Sequence, residues 1–506
     1  MKKLIDSYTI VADNVPATIA VWETSTESVP LYEITLPELP PATAALVEEL
    51  SEELSGKVPL ELEMMSDPHK VLGVKEEFLG EIKSLVGTKL PQADPATVDT
   101  LAGYLLHKMY GLGFVDVIMA DNWIEELTVN GSKYAVALYH KKHGWVNTNK
   151  QLQSEEEIRN LSAQIGRKVN REINLLHPIM DAYLLSGDRV ASTLFPVSTG
   201  GNTITIRRFA RNPWTPLSFI AMNTISARMM ALLWQAMQFE LNILVAGGTA
   251  SGKTSVLNSL CSFIPPNQRV ISIEDTREIQ LPQNLHWNWV PMTSRPANPE
   301  GQGAISMLDL MVSSLRMRPD RIIVGEVRRR EQMEAMFEAM HTGHSVYCTM
   351  HADTAHQVQR RLTQPPIAIP QAEVEALHLI LMQYRDRKSG KRRALELAEV
   401  LQGNERELEI NYLYRWRPRT DTFEKINNSI RLVEELNLHT GMTPQEMDAD
   451  LAEKEFILCW LGQQNIRDID EFGELMRIYY KDKEILLQAI QQKKSAGEAK
   501  KLFLSS

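Results

Sequence analysis

A chain of 506 residues, 43% hydrophobic and 23% charged, is too long for one compact core and has the composition of a mostly folded protein of about two to four domains. Its formal charge of −10 argues against a broad grip on nucleic acid, which depends on neutralising phosphates with clustered Lys and Arg. Cys261, Cys348 and Cys459 are too far apart for a CxxC metal pair, and their odd number does not make a disulfide framework, so a reducing compartment fits best.

Met1-Lys2-Lys3 is followed by only two apolar residues before Asp6, too few for the core of a signal peptide. Nowhere do about 18 apolar residues run together, as a spanning helix requires. The expected location is the cytoplasm, with any membrane association peripheral. Residues 1–100 are acidic and interrupted by Pro37, Pro40, Pro41 and Pro91, and segments such as Thr43–Leu54 read as short helices. This region is expected to be peripheral and mostly helical.

Residues 101–210 read as a small α/β domain. IEELTVNG and KYAVALYHKKHGW look like strands joined by an Asn130-Gly131 turn, a strong hairpin signal. A charged helix follows over Glu155–Asn170. Then come RVASTLF and NTITIRRF, two β-rich runs separated by Pro196 and Gly200-Gly201. Residues 211–225, opening with the two prolines of Arg211–Pro216, read as a linker.

Over residues 226–400 strands and helices alternate: NILVAGG, RVISIED, RIIVGEV and SVYCTMH are the strands. That alternation predicts a mostly parallel sheet flanked by helices. In the helix before Arg318, Ile305, Leu308, Val312 and Leu315 recur at helical spacing and are expected to form its apolar face. ALHLILMQYRD and RALELAEV flank a Lys388–Lys391 turn with Gly390 and predict a hairpin appended to the sheet. Residues 401–506 complete that hairpin region and turn helical and charged.

GGTASGKT, Gly247 to Thr254, matches G-x-x-x-x-G-K-[ST], follows an apolar strand and precedes a helix-compatible segment. Glycines let such a loop wrap a phosphate, and backbone N–H groups at the helix start point at the anionic oxygens. Gly247, Gly248, Thr249, Ala250, Ser251, Gly252, Lys253, Thr254 and Ser255 are therefore the expected nucleotide-binding residues. Lys253 is expected to reach the β and γ phosphates and Thr254 to place its hydroxyl on Mg²⁺.

Transfer of a phosphoryl group to water needs a metal, an oriented water and positive charge. Glu326 follows the apolar run Ile322–Val324 and Gly325, at a strand's carboxyl end, where it either holds Mg²⁺ or orients the attacking water. Gly325 stands where many such motifs carry a metal-binding Asp. Glu274, Asp275 and Glu278 end the preceding strand, and Glu274 or Glu278 is a candidate for polarising water. His341, His344 and His351 lack the HExxH or cysteine-paired spacing of zinc sites. His344 or His351 is instead a candidate nucleotide sensor. Arg189, Arg207 and Arg208 lie far upstream, where an arginine reaching across a domain or subunit boundary would neutralise charge on the γ phosphate.

Together GGTASGKT, VISIEDTREIQL, SLRMRPDRIIVGEVR and AMHTGHSVYCTMHADT resemble, in order, the Walker A, Asp box, Walker B and His box of the type II/type IV secretion ATPases. IEELTVNG, SGDRVASTLF and TITIRRF resemble that family's second N-terminal domain, whose arginines contact nucleotide, with Arg189 and Arg207 in the matching positions. The resemblance covers roughly residues 100–400. It implies an α/β fold in which a RecA-like P-loop NTPase domain is preceded by a small α/β domain, with peripheral helical segments at both ends. It further implies an ATP-hydrolysing homohexamer that uses Mg²⁺ and ATP, works with an integral membrane platform protein and binds no nucleic acid. Bacterial type II members usually carry a four-cysteine zinc module, which has no counterpart here; WRPRTDTFEKI and the helices after it look more like the archaeal branch. The alternatives are a RecA-like helicase or nucleic-acid translocase, disfavoured by the acidic charge, and a nucleotide-gated scaffold that does not turn over.

Overall fold

In the computed structural model the described residues are 2–25, 27–57, 68–169, 171–184, 186–208, 213–295, 297, 301–386, 389–402, 408–464 and 466–505. Outside them lie residue 170 of the expected charged helix, 209 of the last β-rich run, 211 and 212 of the expected linker, and 388 of the expected hairpin turn. The chain forms two compact units, Met1–Arg211 and Asn212–Ser506.

The first unit opens with β1 (Lys2–Ala12), β2 (Val15–Thr24) and β3 (Leu31–Thr35). Helices α1 (Pro41–Leu54), α2 (Pro68–Lys89), α3 (Pro95–Met109) and α4 (Phe114–Ala120) follow. Then come β4 (Ile124–Asn130), β5 (Ala137–His140), β6 (Gly144–Thr148), α5 (Glu155–Lys168), β7 (Ile179–Tyr183), β8 (Arg189–Thr193) and β9 (Thr203–Arg207). The strands make one sheet in the order β1-β2-β3-β6-β5-β4-β9-β8-β7, in which only β3 and β6 run parallel. The described residues up to Thr35 are thus a meander and not a helical segment. Val15, Ala17, Ile19 and Val21 alternate inward along β2, a period-2 pattern that outweighs the acidic, proline-rich composition of the residues after it. Tyr8 and Tyr32 tie this meander to the buried Asp121, donating to its Oδ2 at 2.7 and 2.8 Å.

The Asn130-Gly131 turn is also corrected. Gly131 has a positive φ of 86°, but its N–H goes to the carbonyl of Asn202, and six residues, 131–136, separate β4 from β5. The tight hairpin lies one strand later, where His140 pairs with Gly144 and splits KYAVALYHKKHGW into two strands.

The second unit holds α6 (Pro216–Ala221), α7 (Ala227–Gln238), β10 (Ile243–Gly247), α8 (Lys253–Cys261), β11 (Val270–Glu274) and β12 (Trp289–Thr293). Next are α9 (Met307–Ser314), β13 (Arg321–Val324), α10 (Arg330–His341), β14 (Ser345–Met350), α11 (Ala355–Thr363) and α12 (Gln371–Val374). The unit closes with β15 (Leu379–Arg385), β16 (Arg392–Gln402), β17 (Leu408–Arg417), β18 (Thr422–Lys425), α13 (Arg431–Thr440), α14 (Pro444–Gln463), α15 (Ile469–Gln491) and α16 (Ala496–Ser505).

Its sheet runs β12-β11-β13-β14-β10-β15-β16-β17-β18, parallel from β12 to β15 and antiparallel from β15 onward. This is the expected mostly parallel sheet flanked by helices. Alternate residues of β10 feed two cores: Ile243 and Val245 join the one built with α7, α8 and the C-terminal helices, Leu244 and Ala246 the one built with α9 and α10. Both faces are covered, which is why β10 reads as an unbroken apolar run.

Residues 215–225 belong to this unit and are not a free linker. Thr215 caps α6 by accepting from Ser218 N, and Leu217 and Phe219 enter the core. The C-terminal helices are integral as well: Trp234 of α7 stacks on Phe263 and meets Tyr479 of α15 edge-on, with centroids 5.2 and 4.7 Å apart. In α9 the buried residues are Met307, Met311 and Ser314, while Val312 is exposed. Ile305 precedes the helix in a bridge with Arg295, so the apolar face starts at Met307.

Candidate active site

Because β10, β11, β13 and β14 are parallel and in register, whatever follows their last residues gathers at one edge. Ala246 stands opposite Met350, Val324 opposite Cys348 and Ile273 opposite Val324. The phosphate loop, Glu274, Glu326 and His351 therefore share the carboxyl edge, where open α/β sheets bind ligands.

The loop leaves β10 at Gly247. A Cβ there would stand 2.3 Å from the carbonyl oxygen of Gln383 and 2.5 Å from Ser251 Oγ, so only glycine fits. Gly252, at φ 91°, is the N-cap of α8. Ser251 Oγ donates to the carbonyl of Gly248 at 2.8 Å, and Lys253 Nζ donates to the same oxygen at 3.1 Å. Lys253 is only 8% exposed. Burial lowers its pKa, and the carboxylates of Glu326 and Glu278 oppose that shift. Its Nζ also stands 3.5 Å from His351 Nδ1.

On its other side the His351 ring brings Nε2 to 3.1 Å from Glu326 Oε1. That is an ion-pair distance without hydrogen-bond geometry, since Oε1 is a buried oxygen with no hydrogen-bond partner. Glu326 Oε2 accepts from Arg328 Nη2 at 2.8 Å. Burial raises the Glu326 pKa, but the Arg328 hydrogen bond and charge, helped by His351 and Lys253, bring it below the ordinary value. Burial, with Lys253 next, lowers the pKa of His351.

Glu274 differs. It is 1% exposed, and its Oε1 accepts from the backbone N–H groups of Glu278 and Ile279 at 2.8 and 3.0 Å. Burial outweighs those bonds and pushes its pKa up to about 7. A Cβ on Gly325 would stand 3.1 Å from Glu274 Cγ. A side chain at Gly325 would therefore require Glu274 to shift by a few tenths of an ångström. Glu278 is exposed, and Asp275 accepts from Ser294 Oγ at 2.9 Å.

Magnesium takes oxygen ligands. The hydroxyl of half-buried Thr254, in the first turn of α8, and the buried Glu326 Oε1, which accepts no hydrogen bond, fit such an ion.

His344 is not part of this group. It precedes β14, whose six residues put it roughly 20 Å from His351 at about 3.3 Å per residue. Its Nδ1 faces Thr342 Oγ1 and the carbonyl of Ala339, at 3.1 and 3.3 Å. Two histidines seven residues apart are separated by a whole strand, so only His351 lies at this edge.

In the first unit Arg189 and Arg207 face one another across β8 and β9. Arg189 Nε bonds Asp181 Oδ1 at 2.9 Å. Arg208 is engaged structurally, donating to the Asp121 carbonyl and to Asn122 Oδ1.

The family described as "Type II/IV secretion system protein" matches residues 187–394. An uncharacterized protein of Methanocaldococcus jannaschii is 30% identical over 415 residues, 80% of this chain and 74% of its own length. The chain belongs to the type II/IV secretion system protein family. The type IV secretion system protein PtlH of Bordetella pertussis is 32% identical over 252 residues, 44% of this chain and 72% of that protein. A second uncharacterized M. jannaschii protein is 40% identical over 253 residues, 49% of this chain, and the match spans only 34% of that relative's length.

Other side chains near this edge were not singled out in sequence. Asp353 Oδ1 lies 3.6 Å from where a Cβ on Gly248 would stand, and its only signal was proximity to His351. Arg328, which was not singled out in sequence, holds Glu326 Oε2. Gln383 is 3% exposed, and neither amide atom has a hydrogen-bond partner. No helix among the described residues is long and apolar enough to cross a membrane.

Proposed function

We propose that this protein is an ATPase that drives a secretion or pilus-like machine from the cytoplasmic face of a membrane. The observation that carries this reading is the convergence of Lys253, His351 and Glu326 beside a glycine cradle at the carboxyl edge of the sheet. Backbone N–H groups at the start of α8 bind the phosphates, and Lys253 gives up the Gly248 carbonyl to reach the β and γ oxygens. Thr254 and Glu326 would hold Mg²⁺, which would neutralise charge on the phosphates. Glu326, kept ionised by Arg328, orients the attacking water, and His351, between Glu326 and Lys253, senses the terminal phosphate. Arg189 and Arg207 supply positive charge from the first unit.

The subunits form a homohexameric ring in which ATP binding and hydrolysis are coupled to domain movement. An integral membrane platform protein receives that movement, and nucleic acid has no part in it. The type IV secretion name of the Bordetella relative supports the class of machine, and −10 of formal charge supports the absence of nucleic acid.

The test is ATP hydrolysis and calorimetric ATP binding by the purified chain with Mg²⁺. Lys253→Ala removes charge-assisted hydrogen bonds of about 1.5–3 kcal/mol each, so affinity should fall at least about tenfold. Unchanged affinity in that variant would reject the assignment of the loop.

A further inference from the structure

Resting on the phosphate-loop reading above, we infer that Arg392 is a positioning residue for nucleotide binding, acting through the carbonyl of Ala250 and not on the nucleotide itself. Arg392 Nε donates to Ala250 O at 3.1 Å. Its Cδ lies 3.5 Å from where a Cβ on Gly252 would stand, so the aliphatic stem covers the turn into α8.

That carbonyl needs holding. Ala250 has φ 57°, in the left-handed region that a residue with a Cβ adopts only under constraint. The carbonyl of Ala250 and the N–H of Ser251 belong to one planar peptide and point in opposite directions. Pinning the oxygen outward therefore aims the Ser251 N–H into the loop, where it now meets Gly248 O at 3.4 Å. Successive N–H groups turned to one side are the anion-binding element of such loops. Arg392 sets the direction of one of them from outside.

The arginine is rigidly mounted. Arg393, 6% exposed, forks onto Asp421, with Nε to Oδ1 and Nη2 to Oδ2 both 2.7 Å. Trp416 Nε1 donates to the same Oδ1 at 2.9 Å. Ala394 N donates to the carbonyl of Thr224 at 2.7 Å. Adjacent arginines thus point opposite ways: Arg393 locks the backbone of β16 to the β17–β18 turn, and Arg392 reaches back to the loop. In sequence they are indistinguishable from a solvated Lys391–Arg393 run at a hairpin turn.

The experiment uses the full chain and two variants, with Mg-ADP as the calorimetric probe and steady-state ATP hydrolysis as the second readout. Arg392→Met keeps the stem over Gly252 and removes every donor; Arg392→Lys keeps one charged donor. Arg392→Met is expected to weaken Mg-ADP about tenfold, the loss of one charge-assisted hydrogen bond, and to raise the KM for ATP with kcat within about twofold. Arg392→Lys should recover most of that loss, with the thermal transition of both variants intact. Wild-type affinity in Arg392→Met, equal weakening by Met and Lys, a fall in kcat at constant KM, or loss of cooperative unfolding would each overturn the inference. Failure of the wild-type chain to bind Mg-ADP would sink the phosphate-loop reading, and this one with it. Wild-type binding that Arg392→Met leaves unchanged sinks this one alone.

Discussion

Replacing Glu274 by Gln isolates the ionisation of a carboxyl buried at the edge of the site. Gln keeps the shape and the Oε1 acceptor used by the N–H groups of Glu278 and Ile279, and removes only the titration. Burial raises the Glu274 pKa from 4.5 to about 7, so between those values the folded chain retains a proton that the unfolded chain has released. Stability from this group is full below the unfolded value and is lost as pH rises through the folded one. The span corresponds to roughly 3 kcal/mol, most of it between about pH 5 and pH 8. The other titrating groups are common to both proteins and cancel in the difference. Denaturant unfolding at about pH 5, 6, 7 and 8 should show the variant near wild type in acid and gaining steadily, by roughly 2–3 kcal/mol at pH 8. A difference that stays flat across this range would mean that Glu274 ionises as freely as a surface carboxyl.

Gly325→Asp, which restores the acid of many related motifs, should destabilise the chain by about 2 kcal/mol, because its Cβ would stand 3.1 Å from Glu274 Cγ. Adding Glu274→Ala should recover part of the loss in a double-mutant cycle by denaturant unfolding, and strict additivity would refute the contact. Arg207→Ala should lower kcat at least about tenfold while ATP affinity stays within about threefold, if this arginine acts on the charge of the reacting phosphate. An unchanged steady-state rate would reject that role.

The parallel core was the most legible part of the fold. NILVAGG, RVISIED, RIIVGEV and SVYCTMH are buried on both faces and bounded by helices, so run length and alternation suffice to place them. The inward alternation of Val15, Ala17, Ile19 and Val21 was there to read, but the acidic, proline-broken stretch after the meander dominates the composition of residues 1–100. The membership of residues 215–225 and of the C-terminal helices in the second unit rests on contacts such as Trp234 with Tyr479, distant in sequence and without local signal.

The site divides in the same way. Gly247, Lys253, Glu326 and His351 each follow a strand that the pattern reveals, and parallel register then forces them to one edge, so their meeting was predictable. Their division of labour was not. Glu274 and Glu326 both end strands and look equivalent in sequence, yet one lies against Gly325 with only backbone donors while the other faces Arg328, His351 and Lys253. Burial outweighs the backbone donors and the Arg277 charge and raises the first carboxyl, whereas Arg328, His351 and Lys253 hold down the second. Two acids pushed apart in this way take different roles at neutral pH. The carboxylate that stays charged beside the phosphate loop is Glu326.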